Sequence, residues 1–183
     1  MTFRFGGSMY RRITALICAA AVFGLAGCLG VPEGATVVRG FDVQRYLGKW
    51  YEIARLDHSF ERGLSRVTAE YSLRDDGDIR VINRGYDASK GKWDQAEGKA
   101  KFVSGPDTGA LKVSFFGPFY GAYNIIELDQ ENYRYALVVG PDTSYLWILA
   151  RSPELEPAVL ESLLEAAREI GVDTSELIYP EHE

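Results

Sequence analysis

The chain offers few side chains that could perform a reaction. Its histidines are His58 and His182, and the run 57–62, which reads DHSFER, places an acid, an imidazole and a hydroxyl side by side. Adjacent residues rarely converge as nucleophile, base and acid, so this run is typical of a solvated loop. The sequence has no metal-ligand spacing of histidine and cysteine, and no phosphate-binding glycine loop. The residues therefore favour a binding protein over an enzyme and indicate no cofactor or metal.

A cysteine near the N-terminus closes a segment with the features of a lipoprotein leader. Arg11 and Arg12 precede an apolar run, residues 13–25, which is too short to span a bilayer. The run leads into Leu-Ala-Gly-Cys28, which resembles the lipobox of bacterial lipoproteins. That resemblance implies a signal peptide over residues 1–27, cleavage before Cys28 and a diacylglycerol on its thiol. An ordinary secretory peptide with an incidental cysteine is the alternative.

The residue after the cysteine bears on where such an anchor would lie. In lipoproteins of this kind, an aspartate at that position retains many members at the inner membrane, and this chain has Leu29 instead. The resemblance therefore implies the periplasmic side of the outer membrane, with residues 28–40 as a lipid-anchored tether. Several acyl chains together anchor a protein stably, where one would not.

The composition limits the partners of the remaining chain. The formal net charge is -6, and lysine and arginine are scattered without a basic block. A nucleic-acid footprint is therefore excluded, because such surfaces carry clustered positive charge. Residues 41–183 fit a single domain, and the sequence contains no internal repeat or low-complexity segment.

The pattern of apolar residues predicts an all-β domain. From residue 66 onward, apolar and polar residues alternate in short runs separated by turn residues, as expected for strands with one buried face. Together with the run 48–55, these runs give eight strand candidates without a long crossover. Sequential antiparallel strands of this number close well into an up-and-down barrel, which leaves no exposed edge. Residues 154–170 change to helical spacing and predict one amphipathic helix on the barrel wall, ended by Gly171, with a short strand at 176–179.

Two motifs carry a family resemblance. Gly48-Lys49-Trp50 matches the G-x-W signature of lipocalins at the start of the first strand, and the run 147–151, WILAR, matches their closing signature. In the middle signature Asp129 fits, while its neighbours depart from the pattern. The chain is thus similar to lipocalins, and more closely to the bacterial outer-membrane lipoprotein lipocalins. The resemblance implies a barrel base in which Arg151 packs over Trp50, with Gly48 as the third structural residue.

A lipocalin barrel is expected to hold its ligand in the lumen. Alternation and the barrel topology give the candidate ligand-binding residues, which are Leu64, Ala69, Tyr71, Val81, Asn83, Ala96, Gly98, Val113, Phe115, Tyr123, Ile125, Ala136, Val138 and Trp147. Several are small, and small side chains leave room in an eight-stranded barrel. A filled core is the alternative at any one position. The same parity directs Glu127 and Arg134 inward near the shut end, where they are expected to pair.

The stretch 112–123, KVSFFGPFYGAY, places aromatic rings around a turn. The topology puts this turn at the barrel mouth, with Phe116, Phe119 and Tyr120 on or near the rim. An exposed apolar rim marks a site for lipid, membrane or a second subunit, so it could admit an acyl chain or join a homodimer. Packing of the rings against neighbouring loops is the alternative.

These observations predict a membrane-anchored protein that binds lipid. The ligand expected from the resemblance and from the apolar lumen is a fatty acid or a lysophospholipid. A lipocalin-type enzyme acting on a bound lipid and a purely structural envelope lipoprotein are the alternatives.

Overall fold

The computed structural model describes residues 30–182. Within that range eight strands form one closed barrel, in which each strand pairs antiparallel with the next and β8 pairs with β1. The strands are β1 (Gly48–Arg55), β2 (Leu64–Leu73), β3 (Ile79–Asp87), β4 (Lys92–Phe102), β5 (Ala110–Phe116), β6 (Phe119–Leu128), β7 (Tyr135–Val139) and β8 (Leu146–Ala150). Alternate residues face opposite sides of a strand, so each strand contributes one face to the lumen. The predicted fold class is confirmed.

The barrel has a closed end and an open end. A short helix, α1 (Val43–Tyr46), precedes β1 and lies at the closed end with the loops 74–78, 103–109 and 129–134. Asp42 begins this helix, because its side chain accepts a hydrogen bond from the Gln44 amide. The open end carries the loops 56–63, 88–91, 117–118 and 140–145. The turn of the aromatic stretch lies among the latter, as predicted.

Bulges interrupt the alternation in four strands, β1, β2, β5 and β6. In β1 the pairing with β8 shifts between Glu52 and Ala54, so that Glu52 and Arg55 both face the lumen. In β6 the register shifts between Ile125 and Glu127, and Glu127 lies exposed on the outer wall. The expectation that Glu127 points inward is therefore wrong.

The second half of that expectation is also wrong. Arg134 is exposed, and its Nε donates to Asp129 Oδ2 at 2.6 Å. Asp129 also accepts from the Asn132 amide and so organises the turn between β6 and β7. The acid of the middle motif, Asp129, thus has a structural role in this chain. Within residues 30–182, Arg134 pairs with Asp129 and not with Glu127.

One helix packs on the outside of the barrel. It is α2 (Pro157–Glu169), three residues shorter at its start than predicted, with Gly171 at φ 86 just past its end. Its apolar face completes a second core with the outer faces of β1, β6, β7 and β8, which contains Ile53, Ala54, Ile126, Leu137, Ile148, Leu163, Leu164 and Ala167. Among residues 30–182 no helix is long and apolar enough to cross a membrane.

The two terminal segments form hydrogen bonds with strands of the barrel. The tail passes through a 3₁₀ turn (Thr174–Glu176), and the expected strand is reduced to a bridge between Ile178 and Arg55. At the other end, the segment from Gly30 returns to β6, where the Val38 amide donates to the Ile125 carbonyl oxygen at 2.9 Å. Most of the predicted tether thus contacts the barrel.

Candidate functional site

The lumen is lined by one continuous apolar cluster. Most of the predicted ligand-binding residues belong to it: Ala69, Tyr71, Val81, Ile125, Ala136 and Val138 are buried, and Val113, Phe115, Tyr123 and Trp147 are half-buried. Gly98 is buried, Asn83 is half-buried, and Ala96 is exposed near the open end. Leu64 starts β2 rather than lying in a loop, and its side chain lies against Gly85.

The closed end is sealed by a stacked pair. The Arg151 guanidinium carbon lies 4.0 Å from the centre of the Trp50 ring, and the indole is fully buried. Arg151 donates to the carbonyl oxygens of Lys49, Arg45 and Tyr133 at 2.9, 2.7 and 3.2 Å. The contact that the two outer motifs predict is present, and the guanidinium ties three closed-end segments together.

Three tyrosine hydroxyls meet above this base. Tyr123 is hydrogen-bonded to both Tyr46 and Tyr71, with oxygen–oxygen distances of 2.8 Å. Burial raises the pKa of all three phenols, that of Tyr71 to about 12. The hydroxyls therefore stay neutral at physiological pH, and they provide a small polar contact within an otherwise apolar wall.

A charged cluster lies nearer the open end, on β1 and the loop that follows it. Arg55 Nη1 donates to Glu52 Oε1 at 2.5 Å, and its Nη2 donates to the carbonyl oxygens of Glu61 and Leu64. The Trp147 indole donates to Glu61 Oε1 at 2.9 Å. Glu52, Arg55 and Glu61 are all buried, so this cluster forms part of the inner surface rather than the rim.

Burial controls the protonation of these carboxyls. Burial and the neighbouring Glu61 together raise the pKa of Glu52 to about 8, while Arg55 opposes the shift. Burial also raises the pKa of Glu61. The cluster therefore carries less negative charge than two carboxylates would at neutral pH.

The histidine of the run 57–62 is buried, so the expectation of a solvated position is wrong for it. His58 stacks between Phe60 and Tyr145, with ring centroids 5.3 and 4.7 Å away. Asp57 is exposed and bonds to Arg62, and Ser59 is exposed as well. The three neighbours do not converge as a triad. Burial lowers the pKa of His58, which keeps the ring neutral.

Polar atoms without a protein partner face the same interior. Within residues 30–182, Arg55 Nε, His58 Nε2 and Asn83 Oδ1 have no hydrogen-bond partner. Asn83 pairs with Ala69 and Ala96 on the inner face of the barrel. Buried polar atoms are normally hydrogen-bonded, and these three are enclosed by neighbouring side chains and out of reach of solvent.

The space near Gly98 is smaller than the sequence predicts. A Cβ at this position would lie 2.8 Å from the Phe115 ring, so the ring occupies the room that glycine provides. On the outer side a cleft of about 250 Å³ opens above the last paired residues of β4 and β5, and Phe115 and Gly98 are among its lining residues. Phe115 thus separates the lumen from this cleft.

The predicted mouth residues divide into two groups. Phe116 and Phe119 face each other across the turn and are strongly exposed. Tyr120 lies on the outer wall beneath the Lys112 ammonium, 5.1 Å from the ring centre, and lines the cleft. Tyr120 therefore lies close to the turn but on the outer side of the barrel, because strand alternation turns it away from the lumen.

Comparison with known proteins places the fold in a family. The model of the lipocalin-like domain matches residues 41–182. The chain belongs to the lipocalin family. This lipocalin is 57% identical over 169 residues to Outer membrane lipoprotein Blc of Vibrio cholerae, covering 92% of this chain and 97% of that protein. It is 56% identical over 171 residues to the protein of the same name from Escherichia coli, covering 92% and 96%.

A solved structure supports the same fold. Insecticyanin from the tobacco hornworm Manduca sexta superposes on this lipocalin with a TM-score of 0.68 and 23% sequence identity, covering 84% of this chain and 87% of that one. At this identity the likeness concerns the barrel and its attached helix alone.

The charged cluster is what the sequence analysis of this lipocalin missed. Glu52 has the same parity as Trp50, so strict alternation could have placed it in the lumen. Arg55 could not be found this way, because alternation from Trp50 directs it outward and only the bulge turns it inward. Glu61 comes from a loop, where no periodic signal exists.

Proposed function

We propose that this lipocalin binds fatty acids or lysophospholipids in its lumen while an acylated Cys28 anchors it to the periplasmic side of the outer membrane. The observation that carries the proposal is a closed barrel with an apolar interior, sealed at one end by Trp50 and Arg151, with polar side chains on the inner wall toward the other end. Such a surface suits an amphiphile with one acyl chain and a polar end.

The closed end favours one direction of entry. Its interior is apolar, and the Arg151 guanidinium there is already bonded to three carbonyl oxygens, so an anionic head group placed deep in the barrel would lose its hydration without a free cation to bind it. The acyl chain meets no such penalty. The lipid is therefore expected to enter tail first, with its head group near the open end.

The anchor rests on the motif around Cys28 and on relatives. Two proteins that match more than nine-tenths of this chain are named outer membrane lipoproteins. The motif lies outside the described residues, and its acylation is part of the proposal. If Cys28→Ser leaves the protein as firmly bound to membranes after a salt wash, the anchor is refuted.

A matched pair of variants tests ligand binding. Val113 faces the lumen and Lys112 faces outward on the same strand, and both are half-buried. Val113→Trp should fill the lumen and weaken displacement of an apolar dye by fatty acid or lysophospholipid, whereas Lys112→Trp should not. Mass spectrometry of lipid extracted from purified wild-type protein is the companion measurement. Absence of co-purifying lipid, together with no dye displacement, would exclude lipid carriage.

A further inference from the structure

We propose that the open end of the barrel faces the membrane and that aromatic rings around the mouth insert into its phospholipid surface. This inference rests on the proposed acylation of Cys28. It concerns the orientation of the anchored protein, so lipids would exchange between the lumen and the bilayer without crossing water.

The first support is the point at which the chain leaves the barrel. Asn124 Nδ2 donates to the carbonyl oxygens of both Gly30 and Gly140, each at 3.0 Å. Gly140 starts the loop between β7 and β8, which belongs to the open end. Gly30 is the first residue that the structure describes, so the described chain begins on the flank of the open end.

This flank is continuous with the mouth. The Gly140 amide donates to the Tyr145 carbonyl oxygen, and the Tyr145 ring stacks on His58, which in turn stacks on Phe60. The attachment point of the N-terminal segment is thus linked to a rim ring through one hairpin and one aromatic stack.

The second support is the distribution of exposed rings. Four aromatic side chains at the open end are largely accessible: Phe60 (65%), Trp93 (56%), Phe116 (81%) and Phe119 (80%). They come from three different loops or strand ends around the mouth. Exposed apolar residues of this size commonly mark a membrane or partner surface, and aromatic rings suit the bilayer interface.

The third support is the pairing of charge at the mouth. Arg62 pairs with Asp57, and Lys90 pairs with Asp87, at 2.7 and 2.5 Å. These cations are already neutralised locally, so contact with lipid would depend on the rings rather than on anionic head groups. The expected insertion is therefore insensitive to salt and to the content of anionic lipid, unlike that of a polybasic surface.

Site-specific quenching tests the orientation. Cleavage before Cys28 leaves no other cysteine in the mature chain, so an introduced cysteine is the one free thiol of the acylated protein. We would compare Phe119→Cys with Val103→Cys, which is 46% exposed in a closed-end loop. Each is labelled with a polarity-sensitive dye and reconstituted into vesicles of phosphatidylethanolamine and phosphatidylglycerol that carry nitroxide-labelled lipid.

The expected result is quenching and a blue shift at position 119, with neither at position 103. Equal or stronger quenching at 103, or no quenching at either site in vesicle-bound protein, would overturn the orientation. If position 119 instead crosslinks to a second copy of the protein and is shielded from lipid, the orientation is overturned as well. Sedimentation of the same samples, with Cys28→Ser as control, reports separately on the anchor, so failure of the anchor and failure of the orientation are distinguishable.

Discussion

The two ends of the barrel are built in opposite ways. At the closed end the Trp50 ring is fully buried and Arg151 uses its guanidinium to bond three carbonyl oxygens. At the open end, Phe116 and Phe119 lie exposed, and Arg55 Nε and His58 Nε2 lack a protein partner among residues 30–182. One end satisfies its polar groups internally, and the other leaves aromatic rings exposed and buried polar atoms unpaired.

This difference separates stability from binding within one fold. Packed aromatic and charged groups at the base hold strand ends and loops that are far apart in sequence, so changes there should unfold the protein. Rings at the mouth make few contacts, so changes there should alter exchange with lipid and leave the fold intact. Variants at the two ends can test this division directly.

The largest effect is expected at the base. Trp50→Ala removes a fully buried indole and its hydrogen bond to the Tyr46 carbonyl oxygen. We expect the free energy of unfolding to fall by about 3–5 kcal/mol, measured by urea denaturation. Full stability combined with lost ligand binding would show that the ends of the barrel have been misassigned.

A smaller loss is expected for the cation of the same pair. Arg151→Met should lower the free energy of unfolding by about 2 kcal/mol, because three hydrogen bonds and the contact with the indole are lost. Arg151→Lys keeps the charge and should recover only part of the loss, since an ammonium cannot reach three carbonyls in a plane. Equal stability of the lysine variant and wild type would reduce the role of the guanidinium to its charge.

The lumen cluster predicts a pH dependence. Burial raises the pKa of Glu52 from 4.5 to about 8, so the unfolded chain ionises first as pH rises. The stability associated with protonated Glu52 is complete below about pH 4.5 and is lost as the pH rises through 8, by roughly 2–4 kcal/mol. Glu52→Gln should flatten this loss between pH 5 and 9, as measured by urea denaturation. It should not remove the loss, because Glu61 shifts in the same direction. Parallel profiles for variant and wild type would contradict the assignment.

The smallest effect on stability is expected at the mouth. Replacing Phe116, Phe119 and Tyr120 with serine should change the free energy of unfolding by less than about 1 kcal/mol, because surface substitutions away from packed groups rarely cost more. Transfer of a fluorescent fatty acid from vesicles should nevertheless slow. Leu73 and Val103 are exposed at the closed end, and their serine variants form the matched control. Unchanged lipid transfer, lipid affinity and oligomeric state would show that these rings only pack against neighbouring loops.

The fold was predictable because its signals are periodic. Alternation identified seven of the eight strands, the run 48–55 supplied the first, and the helical spacing after residue 154 identified α2. The stacked pair of the base followed from two motifs at opposite ends of the barrel domain. The inner surface was less predictable, because a bulge shifts parity without a local sequence signal. Arg55 inside and Glu127 outside both reverse what strict alternation gives.

The packing of aromatic rings was the second feature that limited prediction of the inner surface from the sequence. Gly98 suggested empty space, but whether a neighbour fills that space depends on the rotamer of Phe115 on the adjacent strand. Tyr120 was placed by its position near a turn, while its parity decided its surroundings. Side-chain identity thus indicated which surface was apolar, and three-dimensional neighbours decided how much of it stayed open.

The bulge at Ile53 makes the contents of the lumen depend on chain length as well as on residue type. A single-codon deletion at this position would remove the extra residue and restore strict alternation in β1, with Arg55 still inward beside Glu52 and Glu61. Straightening of the strand without that deletion would instead turn Arg55 toward α2 and leave the two carboxyls inside without their cation. In a comparison of gene variants, loss of Ile53 should therefore be weighed as milder than a substitution of Arg55 itself.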